Sequence, residues 1–329
     1  PTTDIYTNAE SSAASDVYKR QVQNLFCAGD LDLPFAYRLT QYLKELQPDL
    51  VHCHSRRGAD MLGGMAASFA DIPAVVSRRV DNTEMRLVAA LRYRPFRKVI
   101  AISETIARVL REHGVADDRI EVIRSAVDTG QLSRPADCGK VREELAVPAD
   151  ACVVAAAGQL IPRKGHRYLL QAVADLHRRF PQLRLVIFGE GYLNNQLRAQ
   201  SASLGLGDVV QFAGFRDDLN DFMGCIDIFA HPALAEGLGV ATLKAAAAAV
   251  PVVGFAAGGL PEAVVDGETG VLVPPEDVDA LSRALATLIG DADLRRRMGA
   301  AGQDRMQKDF SIATMADKHV NLYETILNG

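Results

Sequence analysis

Residues 225–262 read CIDIFAHPALAEGLGVATLKAAAAAVPVVGFAAGGLPE, and this stretch decides the fold class. The apolar run CIDIFAHP has strand composition and stops at Pro232. A helix follows over 242–249, and VPVVGF is a second strand. Glu236, Gly237 and Gly239 therefore fall in the loop where a strand hands over to a helix, which is where α/β proteins bind ligands. Free N–H groups at a helix start carry roughly half a positive charge, and glycine lets an oxygen-rich ligand approach the main chain. The segment thus reads as a phosphate-binding helix start, then a strand, then a second glycine turn at Gly258-Gly259. An ordinary strand-to-helix turn shares this local pattern, so the rest of the chain has to arbitrate.

Outward from this stretch the alternation recurs. Upstream run ACVVAAAG (151–158), a helix over 166–179, LRLVIFG (183–189), a helix over 193–204, VVQFAG (209–214) and a short helix over 218–223. Earlier still, FAYRLTQYLKELQ sets Phe35, Leu39, Leu43 and Leu46 on one helical face and is stopped by Pro48. Then come LVHCH, a helix over 59–69, PAVVS, a helix over 84–93, KVIAIS, a helix over 104–113 and IEVIRS. Short buried strands alternating with amphipathic helices predict parallel sheets covered on both faces. Gly130, Pro135, Gly139 and Pro148 punctuate residues 129–150 and place the junction there. The fold class is α/β, with two Rossmann-like doubly wound domains, 1–133 and 134–310, facing a cleft. Residues 1–21, PTTDIYTNAESSAASDVYKRQ, show no opening strand with a glycine turn. They read as aberrant or disordered, and the N-terminal domain as truncated.

The chain has 329 residues, 48% of them hydrophobic, enough for two cores. A net charge of -5 argues against nucleic acid as a partner. Between 78 and 98, however, Arg78, Arg79, Arg86, Arg92, Arg94, Arg97 and Lys98 outweigh Asp81 and Glu84. Such a patch suits an anionic acceptor or peripheral contact with a membrane surface; a solvated helix face has the same composition. Cys27, Cys53, Cys138, Cys152 and Cys225 are odd in number without metal-type spacing, and read as buried thiols of a reducing compartment. The longest apolar stretch, 245–260, is broken by Pro251 and glycines, and no signal peptide is visible, so the cytoplasm is the expected location. Asp30-Leu31-Asp32 has the spacing of a metal-binding pair but precedes a helix, and reads as a helix entrance.

Four segments of the second domain, GQLIPRKGH (158–166), FGEG (188–191), GFRDDL (214–219) and AEGLG (235–239), together resemble the nucleotide-sugar half of the retaining, GT-B-fold glycosyltransferases of family 4. The resemblance runs from about residue 50 to the C-terminus. It implies transfer of a sugar from a nucleotide diphosphate to a saccharide or lipid-linked acceptor, with retention, in cell-envelope polysaccharide or glycolipid biosynthesis. It also implies neither metal nor cofactor, an acceptor-side first domain, and a C-terminal helix, 311–329, packed back on that domain. It assigns Lys164 to the donor diphosphate, helped by Arg163. A cation beside a helix start would stabilise the charge left on the leaving phosphate. Glu236 would grip the sugar hydroxyls, and Gly237, Leu238 and Gly239 would offer backbone near the phosphates. Gly158, Gly189 and Gly191 would admit the donor, with Phe215 and Arg216 lining its base.

Two positions depart from the family pattern. Lys244 stands where a second glutamate usually meets the ribose, and an ammonium can only donate hydrogen bonds. Gln159 stands where an arginine is common. In the first domain the resemblance puts a histidine beside the reacting sugar. His54, the outer of the pair in LVHCH, is preferred, and His52 suits core packing. His52, Arg78, Arg79 and Asp81 are acceptor-side candidates. Competing readings are a non-catalytic nucleotide-sugar or glycan-binding protein, an inactive fragment, and a nucleotide-sugar epimerase.

Overall fold

The computed structural model describes residues 2–8, 20–29, 32–54, 59–80, 84–134 and 137–329. The chain divides into two compact units. One holds Pro1–Ile102, Ile106–Ile123 and His319–Gly329, the other Ser103–Thr105 and Arg124–Lys318.

In the first unit, β1 (Thr2–Asn8) pairs antiparallel with β2 (Arg20–Phe26). This corrects part of the expectation of no opening strand with a glycine turn: a strand is present, and no glycine stands in the 9–19 segment between it and its partner. Thr, Ile and Tyr in TTDIYT favour extended backbone, and the Ser/Ala-rich residues after them masked that signal. Helix α1 (Leu33–Leu46) starts on Asp32, whose carboxylate accepts from Phe35 N at 2.8 Å, and ends at Gln47 in the left-handed region just before Pro48. It buries Phe35, Leu39 and Leu43, while Leu46 lies largely outside. Four parallel strands follow in sheet order: β3 (Val51–Cys53), β4 (Ala74–Arg78), β5 (Lys98–Ala101) and β6 (Ile120–Val122). Helices α2 (Ala59–Phe69), α3 (Arg86–Tyr93) and α4 (Glu104–Glu112) connect them.

The second unit carries α5 (Thr129–Leu132), α6 (Cys138–Glu144), β7 (Cys152–Ala157), α7 (His166–Leu176), β8 (Leu183–Phe188), α8 (Asn194–Ser203), β9 (Val210–Gly214) and α9 (Leu219–Met223). It continues through β10 (Ile228–His231), α10 (Val240–Ala247), β11 (Val252–Phe255), α11 (Leu260–Ala263), β12 (Gly270–Val273), α12 (Val278–Gly290) and α13 (Ala292–Asp309). Helix α14 (Ile312–Asn328) closes the chain, its residues from His319 onward grouping with the first unit. The six strands are parallel in the order β12-β11-β10-β7-β8-β9. The order therefore reverses between β7 and β10, and an open α/β sheet binds ligands outside its strand ends at such a switch point. Strand β12 escapes sequence reading because GVLV is short, lies at the sheet edge and is only partly buried.

The division falls after Ile123, ahead of the boundary read at 133/134. Among the described residues no strand after β6 joins the first sheet. Val127 N donates to Phe310 O at 3.0 Å, and Asn220 Nδ2 donates to Gln131 Oε1 at 2.9 Å, so the punctuated stretch begins inside the second unit.

The cysteines also require a correction, because Cys138 and Cys225 form a disulfide. They lie 87 residues apart and meet because α6 packs beside the turn after α9, a proximity no local spacing encodes. Cys27, Cys53 and Cys152 are free. Titration with a thiol reagent under denaturing, non-reducing conditions should detect three thiols, and five after reduction. Cys225→Ser should cost roughly 2–4 kcal/mol in urea unfolding of the oxidised protein.

Candidate functional site

The loops that leave the carboxyl ends of β7, β8, β10 and β11 are stitched together by main-chain hydrogen bonds. Leu160 N donates to Glu190 O at 2.9 Å, Leu234 N to Arg163 O at 2.8 Å and Gly259 N to Glu236 O at 2.9 Å. Glycine makes this approach sterically feasible. A Cβ on Gly165, whose φ is +67°, would stand 1.8 Å from Pro232 O, and one on Gly258, at φ +55°, would stand 2.2 Å from Glu236 O. Gly258-Gly259 is thus the floor under Glu236. This turn is anchored by Glu262, whose carboxylate accepts from the main-chain N–H of Glu104 and Thr105 and pairs with Arg124 at 3.2 Å. Thr105 Oγ1 also donates to Gly258 O at 3.0 Å.

Lys164 ends a single 3-10 turn over Pro162–Lys164, Glu236 lies on the loop after β10, and the two form an ion pair. Burial raises the Glu236 pKa, but neighbouring His231 and the Lys164 ammonium outweigh it and hold it at about 2. Helices α7 and α10 both start here on glycines, Gly165 and Gly239, without a side-chain cap. Their leading N–H groups accordingly retain donor capacity for an anion. Beyond β8 and β9 a cavity of about 430 Å³ is lined by Gly189, Glu190, Gly191, Arg198, Phe212 and Gly214. Arg198 stacks over the Phe212 ring at 4.8 Å, a planar wall that the sequence reading missed. Arg198 follows β8 on α8, and only its pairing across to β9 reveals it.

In the first unit, His52 is held by Tyr323 OH at 2.5 Å from Nδ1 and Ser77 Oγ at 2.8 Å from Nε2. His54 is exposed, with its ring 3.7 Å from that of His52. Burial foremost, then neighbouring cationic groups, push His52 down to about 2; His54, although part of it is exposed, is lowered to about 4 by desolvation of the rest, then by Arg79 and His319. Both rings are therefore neutral near pH 7.

These features assign the chain. A family model described as Glycosyl transferases group 1 matches residues 139–305, and one described as Glycosyltransferase Family 4 matches residues 4–131. The chain belongs to the group 1 glycosyltransferases. Among curated relatives, the lipopolysaccharide core biosynthesis glycosyltransferase LpsE of Rhizobium meliloti is 33% identical over 62% of this chain and 57% of its own length. The GDP-mannose-dependent alpha-(1-6)-phosphatidylinositol monomannoside mannosyltransferase of Mycolicibacterium smegmatis is 35% identical over 56% and 50%. The match spans about half the length of these relatives. Among solved structures, Anabaena HepE in complex with UDP superposes with a TM-score of 0.81 and 25% identity, covering 90% of this chain and 84% of that one. The architecture is that of the GT-B glycosyltransferases.

Within this group 1 glycosyltransferase several expected site residues have other engagements. Arg78 is buried, donating to Glu84 at 2.9 Å, to Tyr93 OH at 3.0 Å and to Val80 O at 2.8 Å. It braces the end of β4 and presents no open charge to an acceptor. Arg92 pairs with Glu84 and Asp60 in the same network. Arg79 is exposed, and Asp81 lies outside the described residues. Arg216 is clamped by Asp218 and by Glu144 at 2.7 Å and stacks over Phe222, so its charge is committed to α6 and α9. Phe215 is exposed. The Leu238 side chain is fully buried, which leaves its main chain alone to meet a ligand. Gln159 and Arg163 are exposed, and Lys244 is half-buried on α10.

His52 and His166 are held neutral in the fold, His166 at about 4 by burial foremost. The unfolded chain protonates both near 6.5, so folding stability is complete above that pH and falls as the pH drops below it. The fall should be about 1.4 kcal/mol per pH unit for each histidine. Glu236 acts in the same direction lower down, its contribution being lost between 4.5 and about 2. Urea unfolding at pH 7, 6 and 5 should show this slope, and His166→Phe should remove one histidine's share of it.

Proposed function

We propose that this chain transfers a sugar from a nucleotide diphosphate to a saccharide or lipid-linked acceptor with retention of anomeric configuration. The observation that carries the reading is the Lys164–Glu236 pair at the β7/β10 switch, beside two helix starts without side-chain caps. Lys164 and the N–H groups at α10 neutralise the charge that develops on the leaving diphosphate, with Arg163 and Lys244 on the same side of the chemistry. Glu236, ionised, accepts from the sugar hydroxyls. Gly189, Gly191 and the Arg198–Phe212 wall admit the nucleoside. In the first unit, neutral His54 is the group assigned to the reacting sugar. The acceptor hydroxyl attacks from the face the diphosphate leaves, and a phosphate oxygen takes its proton, so no enzymic base and no metal is assigned. HepE, which binds UDP in its crystal structure, supports the donor class, and the lipopolysaccharide core and phosphatidylinositol monomannoside in the relatives' names support the acceptor class.

A thermal-shift titration with UDP, GDP, ADP and their sugars tests the donor. A ligand at about a hundred times its dissociation constant should stabilise by roughly 2.7 kcal/mol. Lys164→Ala should weaken the selected nucleotide roughly 10- to 100-fold, the worth of one charge-assisted hydrogen bond. Binding without turnover by the wild-type chain would favour the non-catalytic reading.

We also place an anionic membrane surface against α3. No helix among the described residues is long and apolar enough to cross a membrane. Met85, Leu87 and Leu91 are nonetheless 73%, 72% and 59% exposed, and Arg86, Arg94 and Arg97 flank them, also exposed. Apolar side chains ringed by arginine suit the headgroup boundary. In sedimentation with vesicles, the protein should bind phosphatidylglycerol/phosphatidylcholine mixtures and not phosphatidylcholine alone. The double variant Leu87→Ser, Leu91→Ser should lose that binding.

A further inference from the structure

Glu236 has a second buried neighbour that the reading above does not use. His231 is the last residue of β10, and its side chain is only 4% exposed. Its Nε2 lies 3.5 Å from Glu236 Oε2, the oxygen that also meets Lys164, close enough to help hold Glu236 ionised but short of a well-formed hydrogen bond. His166, at the start of α7, is close enough to interact with His231 electrostatically, and the Phe229 ring, on His231's own strand, stacks at 6.4 Å. Among the described residues no other group forms a hydrogen bond with the His231 nitrogen.

A buried polar nitrogen without a partner is costly, and here it is aimed at a carboxylate held by a cation with a second task. The diphosphate of a donor competes for the Lys164 ammonium, and as Lys164 turns towards phosphate, Glu236 loses its cationic partner. Closing the gap from 3.5 Å to a charge-assisted hydrogen bond needs a movement of only roughly 0.7 Å by the Glu236 loop. We infer that His231 is the positioning residue for Glu236, taking over the carboxylate from Lys164 when donor phosphate is bound and holding it towards the sugar. This rests on the donor assignment above and adds a division of labour: Lys164 reads the phosphates, while His231, through Glu236, serves the sugar.

The test compares His231→Leu, which fills the buried site without a donor, with His231→Gln, which retains one. Affinities for UDP and GDP alone are measured beside those for UDP-glucose and GDP-mannose, together with kcat, KM and the melting temperature. His231→Leu should keep the free nucleotide diphosphate within about twofold of wild type. It should weaken the matching nucleotide-sugar roughly tenfold, the worth of one hydrogen bond to a charged group, and lower kcat. His231→Gln should recover most of both. Parallel loss of nucleotide and nucleotide-sugar with a lowered melting temperature would make His231 merely structural and overturn the inference. So would a His231→Leu variant that discriminates and turns over like wild type. If the wild-type chain binds no nucleotide on the panel, the donor assignment itself falls. If it binds and loses the nucleotide in Lys164→Ala, only the role of His231 is at stake.

Discussion

The constraint on which the second unit depends is main chain lying against main chain at the ends of its central strands. Gly165 faces the carbonyl of Pro232, Gly189 that of Gly158, and Gly258 and Gly259 those of Glu236 and Gly237, each at a distance that forbids a side chain. Four loops from four strands therefore behave as one body. Their conformations are set by the parallel sheet below, a network of buried strands with little freedom to shift. Loops usually carry function at the expense of order. Here sheet-level order extends to the atoms that would meet a ligand.

The charged pair on top of this platform adds little to stability. A partly buried lysine and glutamate each lose hydration, and their attraction returns little net folding energy. What the pair secures is the ionisation state. Glu236 stays a carboxylate at any physiological pH. The first unit uses the opposite device: burial and crowding keep His52 and His54 uncharged, so those rings can form hydrogen bonds without adding positive charge. The buried network of Arg78, Glu84, Arg92 and Asp60 gives the end of β4 a fixed frame.

Much of this was legible in the chain because the relevant signals are local. Strand-glycine-helix junctions announce themselves within ten residues, so Lys164, Glu236, Gly237 and Gly239 were readable with their surroundings. What escaped is non-local. Arg78 and Arg216 look like free cations in sequence, and only the packing of α3 and α6 shows that carboxylates hold them. Arg198 and Phe212 form one wall, though 14 residues separate them along the chain. Strand β12 is too short to signal its own period. The Cys138–Cys225 bond joins positions whose proximity exists only after the sheet has formed.

That bond divides the second unit in a way the hydrogen-bonded sheet does not. Strands β7, β8 and β9 lie inside the covalent loop closed by Cys138 and Cys225, and β10, β11 and β12 lie outside it. Tension applied to the chain ends would pass directly from α6 to the start of β10, bypassing the enclosed segment. With 87 residues in the loop, the oxidised chain would extend about 300 Å less than the reduced one. The half of the sheet that ends in Lys164 would be shielded from the pull, while the half that ends in Glu236 would bear it. Mechanically, the two members of one ion pair belong to different parts of the molecule.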